Sequence, residues 1–69
     1  MKLSQYLEEF FISNKISQKE IEKRTKINQS KLSLIFSGRR KISAIELLII
    51  SNEFDIDLEE LKKEIKISD

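Results

Sequence analysis

ISQKEIEKRTKINQSKLSLIFSG, residues 16–38, holds two helix starts eleven residues apart. Ser17 and Asn28 are helix-capping residue types. Each follows an apolar residue, with a second apolar residue at the fourth helical position: Ile16 with Ile21, and Ile27 with Leu32. This hydrophobic-staple spacing fixes the angle at which a chain enters a helix. Eleven residues leave room for one short helix and a three-residue turn. The two helices must therefore cross steeply, and the second projects from the body of the domain as in a helix-turn-helix.

Outward from this core, two more staples follow: Ile42, Ser43 and Leu47, then Ile56, Asp57 and Leu61. A Glu stands three residues after Ser17, Ser43 and Asp57 (Glu20, Glu46 and Glu60), so the spacing predicts three capping boxes. Helix 1 is expected from about Leu3 to Ser13, with Leu3, Leu7, Phe10, Phe11 and Asn14 on one side. Helix 2 covers Gln18 to about Thr25. Helix 3 starts after Asn28 and stops at Ser37, where Gly38 supplies the left-handed residue that ends a helix. Helix 4 covers Ala44 to Phe54, and helix 5 starts after Asp57 and frays near Ile65. With no Pro, no low-complexity stretch and no alternating strand pattern beyond a short extended end at Ile65 to Ile67, the chain reads as one all-α bundle of five short helices.

The 69 residues suit a single small domain, which buries about 60% of its unfolded surface and so needs a dense core. Absence of Cys and His excludes a disulfide framework and His or Cys zinc ligands. The longest apolar run, Leu47 to Ile50, is too short to cross a bilayer, and no signal peptide opens the chain, so a cytoplasmic location is expected. Twelve Ile and ten Lys against one Ala and one Gly suggest an A- and T-rich coding sequence, as in a low-GC bacterium or its mobile elements. Enzymatic function is disfavoured. The sole Gly rules out a Gly-rich phosphate cradle, and the adjacent acids Glu8 with Glu9 and Glu59 with Glu60 point apart on a helix. No cofactor is expected.

The net charge of +1 conceals sorting: −1 over residues 1–14, +7 over 15–41 and −5 over 42–69. A basic middle and an acidic end orient the molecule on a polyanion while limiting non-specific attraction; the plainer alternative is a pair of solvated faces. On helix 3, Leu32, Ile35 and Phe36 face inward. Asn28, Gln29, Ser30, Ser33 and Leu34 are left for base edges, since small hydroxyls fit a major groove, Gln pairs with adenine and Leu rests on a thymine methyl. Lys15, Gln18, Lys31, Ser37, Arg39, Arg40 and Lys41 are candidate phosphate contacts, Gln18 because it opens a helix N-terminus and the triplet because it follows the reader helix.

Residues 3–61 resemble the Cro and phage-repressor type of helix-turn-helix family, also called the xenobiotic-response-element family. The resemblance is carried by Gln18, Ile21, Ile27, the Asn28-Gln29-Ser30 opening, Leu32, Ile35, the Gly38-Arg39-Arg40-Lys41 loop, Leu47, Ile50, Ser51, Phe54, Ile56 and the Asp57 to Leu61 ending. It implies a compact five-helix, lambda-repressor-like domain over residues 1–69 with its helix-turn-helix core at 17–37. Helix 3 would lie in the major groove, with phosphate contacts from Gln18 and the loop, and a two-fold dimer would bind a palindromic operator. The chain departs from the family pattern at Glu22 (Ala preferred), Lys26 (Gly preferred), Ser37 (Asn usual), and Phe11 with Phe36, where phage repressors often pair Arg with Glu. We expect these two rings to touch, since apolar packing replaces a buried ion pair without loss.

Helix 4 carries more apolar residues than one face uses. Ile45, Leu48 and Ile49, with Ile65 and Ile67, are candidate dimer-interface residues; alternatively the helix 4 residues close over the loop after helix 3. The leading functional expectation is a sequence-specific double-stranded DNA-binding regulator, a repressor acting as a homodimer. The competing class is a protein-interaction module, such as an antitoxin component or small adaptor, that uses the apolar stripe.

Overall fold

Each staple and cap takes up its place in a computed structural model that describes residues 2–64, with the side chain of Glu64 excepted. Five helices follow in order: α1 (Leu3–Ser13), α2 (Gln18–Thr25), α3 (Gln29–Phe36), α4 (Ala44–Glu53) and α5 (Leu58–Glu64). α3 and α4 end one residue before the sequence expectation, because Ser37 and Phe54 serve as the C-caps. The core unites Leu7, Phe11, Ile21, Ile27, Leu32, Ile35, Phe36, Ile50 and Ile56, with Ile16, Ile42 and Leu47 packed against it. All four staples thus remove both apolar members, wholly or partly, from water. α3 packs on α1 and α2, and α2 packs on α4, so the projecting helix is braced from two sides.

The expected ring contact is present: Phe11 and Phe36 lie 5.8 Å apart between centroids. Phe10 and Phe54 extend it, each meeting Phe11 edge-on at 5.2 and 5.0 Å. Offset and edge-on pairs of this kind are favoured by the ring quadrupole beyond simple burial. Arg24 covers the outer side, its guanidinium 4.2 Å from the Phe54 centroid and its Nη2 donating to the Glu53 carbonyl at 2.8 Å. α2 is thereby latched to the end of α4.

The capping boxes are fewer than the spacing predicts. Only Ser43 forms the reciprocal pair: its Oγ accepts from the Glu46 amide at 3.1 Å, and Glu46 Oε1 accepts from the Ser43 amide at 2.9 Å. Ser17 makes the forward bond alone, to the Glu20 amide at 3.1 Å, and Asp57 accepts from Glu59 instead of Glu60. An N-cap oxygen serves either the second or the third helical amide, so sequence spacing alone does not choose between them. Asn14 is also corrected: it is exposed, and its Nδ2 caps the end of α1 on the Phe10 carbonyl at 2.7 Å.

Among the described residues, the side-chain-bearing Lys15, Lys26 and Asp55 take positive φ of 57°, 67° and 54° at the ends of α1, α2 and α4. At Lys15 the chain closes with paired bonds, Lys15 N to Ile12 O and Ile16 N to Phe11 O, the arrangement in which glycine is usual. Gly38, at φ 80°, closes α3 in the same way through Gly38 N to Ile35 O and Arg39 N to Leu34 O. No helix among the described residues is long and apolar enough to cross a membrane.

Candidate nucleic-acid interface

Burial of Leu32, Ile35 and Phe36 turns the opposite side of α3 outward, and Gln29, Ser30, Ser33, Leu34 and Ser37 are all exposed there. Asn28 is exposed too. Its Oδ1 accepts from the Ser30 amide at 2.7 Å as the helix cap, leaving its Nδ2 hydrogens outside that bond. The surface is therefore lined by amides, hydroxyls and one aliphatic side chain, with no bulky charged group on its first two turns except Lys31, which is half-buried. Ser37 donates its hydroxyl to the Leu34 carbonyl at 3.1 Å, so that hydrogen is committed inside the protein.

The turn before α3 is built around Thr25. Its buried hydroxyl donates to the Ile21 carbonyl at 2.7 Å and accepts from the Ile27 amide at 3.2 Å, fixing the path through left-handed Lys26. Glu22 then reaches across the turn. Its two oxygens accept from the Gln29 amide at 3.1 Å and from Gln29 Nε2 at 3.0 Å. The hydrogen bond from the Gln29 side chain, and after it the one from its backbone, hold the Glu22 carboxyl below the usual carboxylate range.

A second carboxylate organises the cations. Glu46 faces Arg40, Nη1 to Oε1 at 3.2 Å, and Lys31, Nζ to Oε2 at 3.6 Å. The Ser43 amide, and after it Arg40, hold the Glu46 carboxyl down to about 2. Arg40 and Lys31 are thus gathered at one protein anion, whereas Arg39, Lys41 and Lys15 are exposed and form no ion pair among the described residues. Gln18 is half-buried at the first position of α2, directly after the Ser17 cap.

On α4, Ile45, Leu48 and Ile49 are 70%, 57% and 39% exposed. The alternative in which they close over the loop after α3 is therefore not adopted. Ile65 and Ile67 lie outside the described residues. Sequence reasoning missed the reach of Glu22 to Gln29 and of Glu46 to Arg40 and Lys31. The signal for the first was available, since the acid on α2 seven residues before Gln29 stands where the family prefers Ala.

A short capped helix, braced on two sides, with a small polar outer face and exposed cations in the loop behind it, defines a helix-turn-helix DNA-binding module. The family model described as helix-turn-helix matches residues 7–61, and the chain belongs to that family, the Cro and phage-repressor type, whose members are DNA-binding regulators. No curated protein and no solved structure gave a match.

Proposed function

We propose that the protein is a transcriptional repressor that binds a palindromic operator as a dimer, with α3 in the major groove and the loop from Gly38 to Lys41 on the flanking phosphates. The observation that carries this reading is the outer face of α3, where Gln29, Ser30, Ser33 and Leu34 are exposed together while the rest of the helix is clamped in the core. Gln29 and Leu34 supply an amide and an apolar contact suited to an A·T pair, and the serines let the helix approach closely. Lys15, Gln18, Arg39 and Lys41 anchor the backbone, joined by Arg40 and Lys31 where a phosphate competes with Glu46. The molecule measures 28 × 24 × 22 Å, less than the roughly 34 Å of one DNA turn, so two half-sites on one face require two copies. Ile45, Leu48 and Ile49 offer the surface that joins them.

A salt titration tests this. Binding to duplex DNA should weaken with a log-log slope of about −0.9 per neutralised phosphate, and Arg39→Ala with Arg40→Ala should flatten it by one to two phosphates, about 0.9 to 1.8. An unchanged slope removes the loop from the interface. The exposed α4 stripe favours one second reading, a protein-interaction module of the antitoxin or adaptor kind, in which the partner covers Ile45 and Leu48. Binding driven by that stripe would scarcely respond to salt.

A further inference from the structure

We propose that Glu22 is a positioning residue for base recognition: it fixes the orientation of the Gln29 carboxamide so that one N–H and the carbonyl oxygen face outward side by side. This rests on the reading of α3 as the groove helix. The geometry that carries it is the two-pronged contact across the turn, in which Glu22 Oε2 accepts from the Gln29 backbone amide at 3.1 Å and Glu22 Oε1 accepts from Gln29 Nε2 at 3.0 Å.

An ionised carboxylate only accepts hydrogen bonds, so the nitrogen end of the carboxamide, and not the oxygen end, must face Glu22. An Nε2 group has two hydrogens. One is taken by Glu22, and the other remains available next to Oε1 as an adjacent donor and acceptor. That pair matches the N7 acceptor and N6 donor of adenine in the major groove. The backbone amide bond to the same carboxylate removes most of the freedom with which the Gln29 side chain could swing away, since the acceptor is anchored to the residue it orients. Glu22 also places a negative charge beside the first turn of α3, where a free helix N-terminus would attract any phosphate. The same side chain therefore favours one base and weakens attachment to unrelated DNA.

The test uses the full chain, the best-bound duplex recovered from a random pool, and that duplex with single base-pair substitutions. Binding is measured at one salt concentration for wild type, Glu22→Ala, Glu22→Gln, Gln29→Ala and the Glu22→Ala/Gln29→Ala double variant, each first checked for helix content and Tm. The Gln29→Ala chain should lose preference for one A·T pair. Discrimination at that same pair should fall roughly tenfold in Glu22→Ala, while binding to unrelated duplexes tightens. Glu22→Gln keeps the shape and the fold but both donates and accepts, so its discrimination should be intermediate. In the Gln29→Ala background, removal of Glu22 should change discrimination no further.

A role confined to holding the turn would weaken every duplex by one common factor and leave the ratio unmoved, which overturns the proposal. So does full discrimination in both Glu22 variants beside its loss in Gln29→Ala, a result that leaves α3 as the reader. If Gln29→Ala itself keeps the preference, or no sequence is enriched, the underlying reading fails together with the proposal.

Discussion

Lys26, at φ 67° between α2 and α3, holds a conformation that strains an L residue by roughly 1–2 kcal/mol, whereas glycine adopts it freely. Lys26→Gly should therefore stabilise the fold by about 0.5–1 kcal/mol after the added freedom of the unfolded chain is subtracted, raising Tm by a few degrees in a thermal melt. A lower Tm would show that the turn needs the lysine side chain. At Gly38 the sign reverses: an added Cβ would meet only Ser4 Oγ at 3.9 Å, so Gly38→Ala is unfavourable for its φ of 80° and not for crowding. Lys26 was legible because it stands where the family places glycine. Lys15 and Asp55 were not, because neither left-handed position is itself a glycine or asparagine and the hydrogen bonds that impose positive φ come from the preceding helix. The Phe11 and Phe36 contact was also legible, through the family resemblance, because the two rings stand where phage repressors often pair an Arg with a Glu across helices 1 and 3. Phe11 is 2% exposed, so Phe11→Arg buries an unpaired charge and should cost about 3 kcal/mol or more of stability in denaturant unfolding. An unchanged midpoint would contradict the packing.

Helix starts were easier to read than helix partners. Ser17, Asn28 and Ser43 cap the helices they were expected to cap, since a cap, a staple and an amphipathic run all reinforce one another within a few residues. Long side chains that cross between elements left no such local trace, which is why the grip of Glu46 on Arg40 and Lys31 emerged only in three dimensions. That grip makes the start of α4 sensitive to acid. Glu46 titrates at about 2 in the folded chain against an ordinary 4.5, so the folded state binds fewer protons and its stability is present above pH 4.5 and lost as pH falls towards 2. Glu22, also lowered, acts in the same direction. Melting curves from pH 5 to pH 2 should show Tm falling, with a shallower fall in Glu46→Gln. An equal slope in that variant would place the acid sensitivity elsewhere.

Across the whole molecule, the basic stretch over residues 15–41 takes in α2, the turn, α3 and the loop after it, while the acidic stretch from residue 42 onward includes α4 and α5. This sorting was visible in the sequence, and so was the exposed stripe on α4. What covers that stripe was not, because a surface aliphatic side chain packs equally well against a second copy or another protein. We expect Ile45→Glu with Leu48→Glu to leave Tm nearly unchanged, as both side chains are already solvent-exposed, and to abolish paired occupancy of a two-half-site duplex in sedimentation analysis. Persistence of the paired complex would move the dimer contact to another face. The measurement that bears most directly on a projecting reader helix is selection of bound sequences from a random duplex pool. It should enrich one palindrome with half-site centres about 10 base pairs apart, and the enrichment should relax when Gln29 is replaced by Ala. Recovery of a pool with no sequence preference, or of the same palindrome with Gln29→Ala, Ser33→Ala and Leu34→Ala combined, would contradict it.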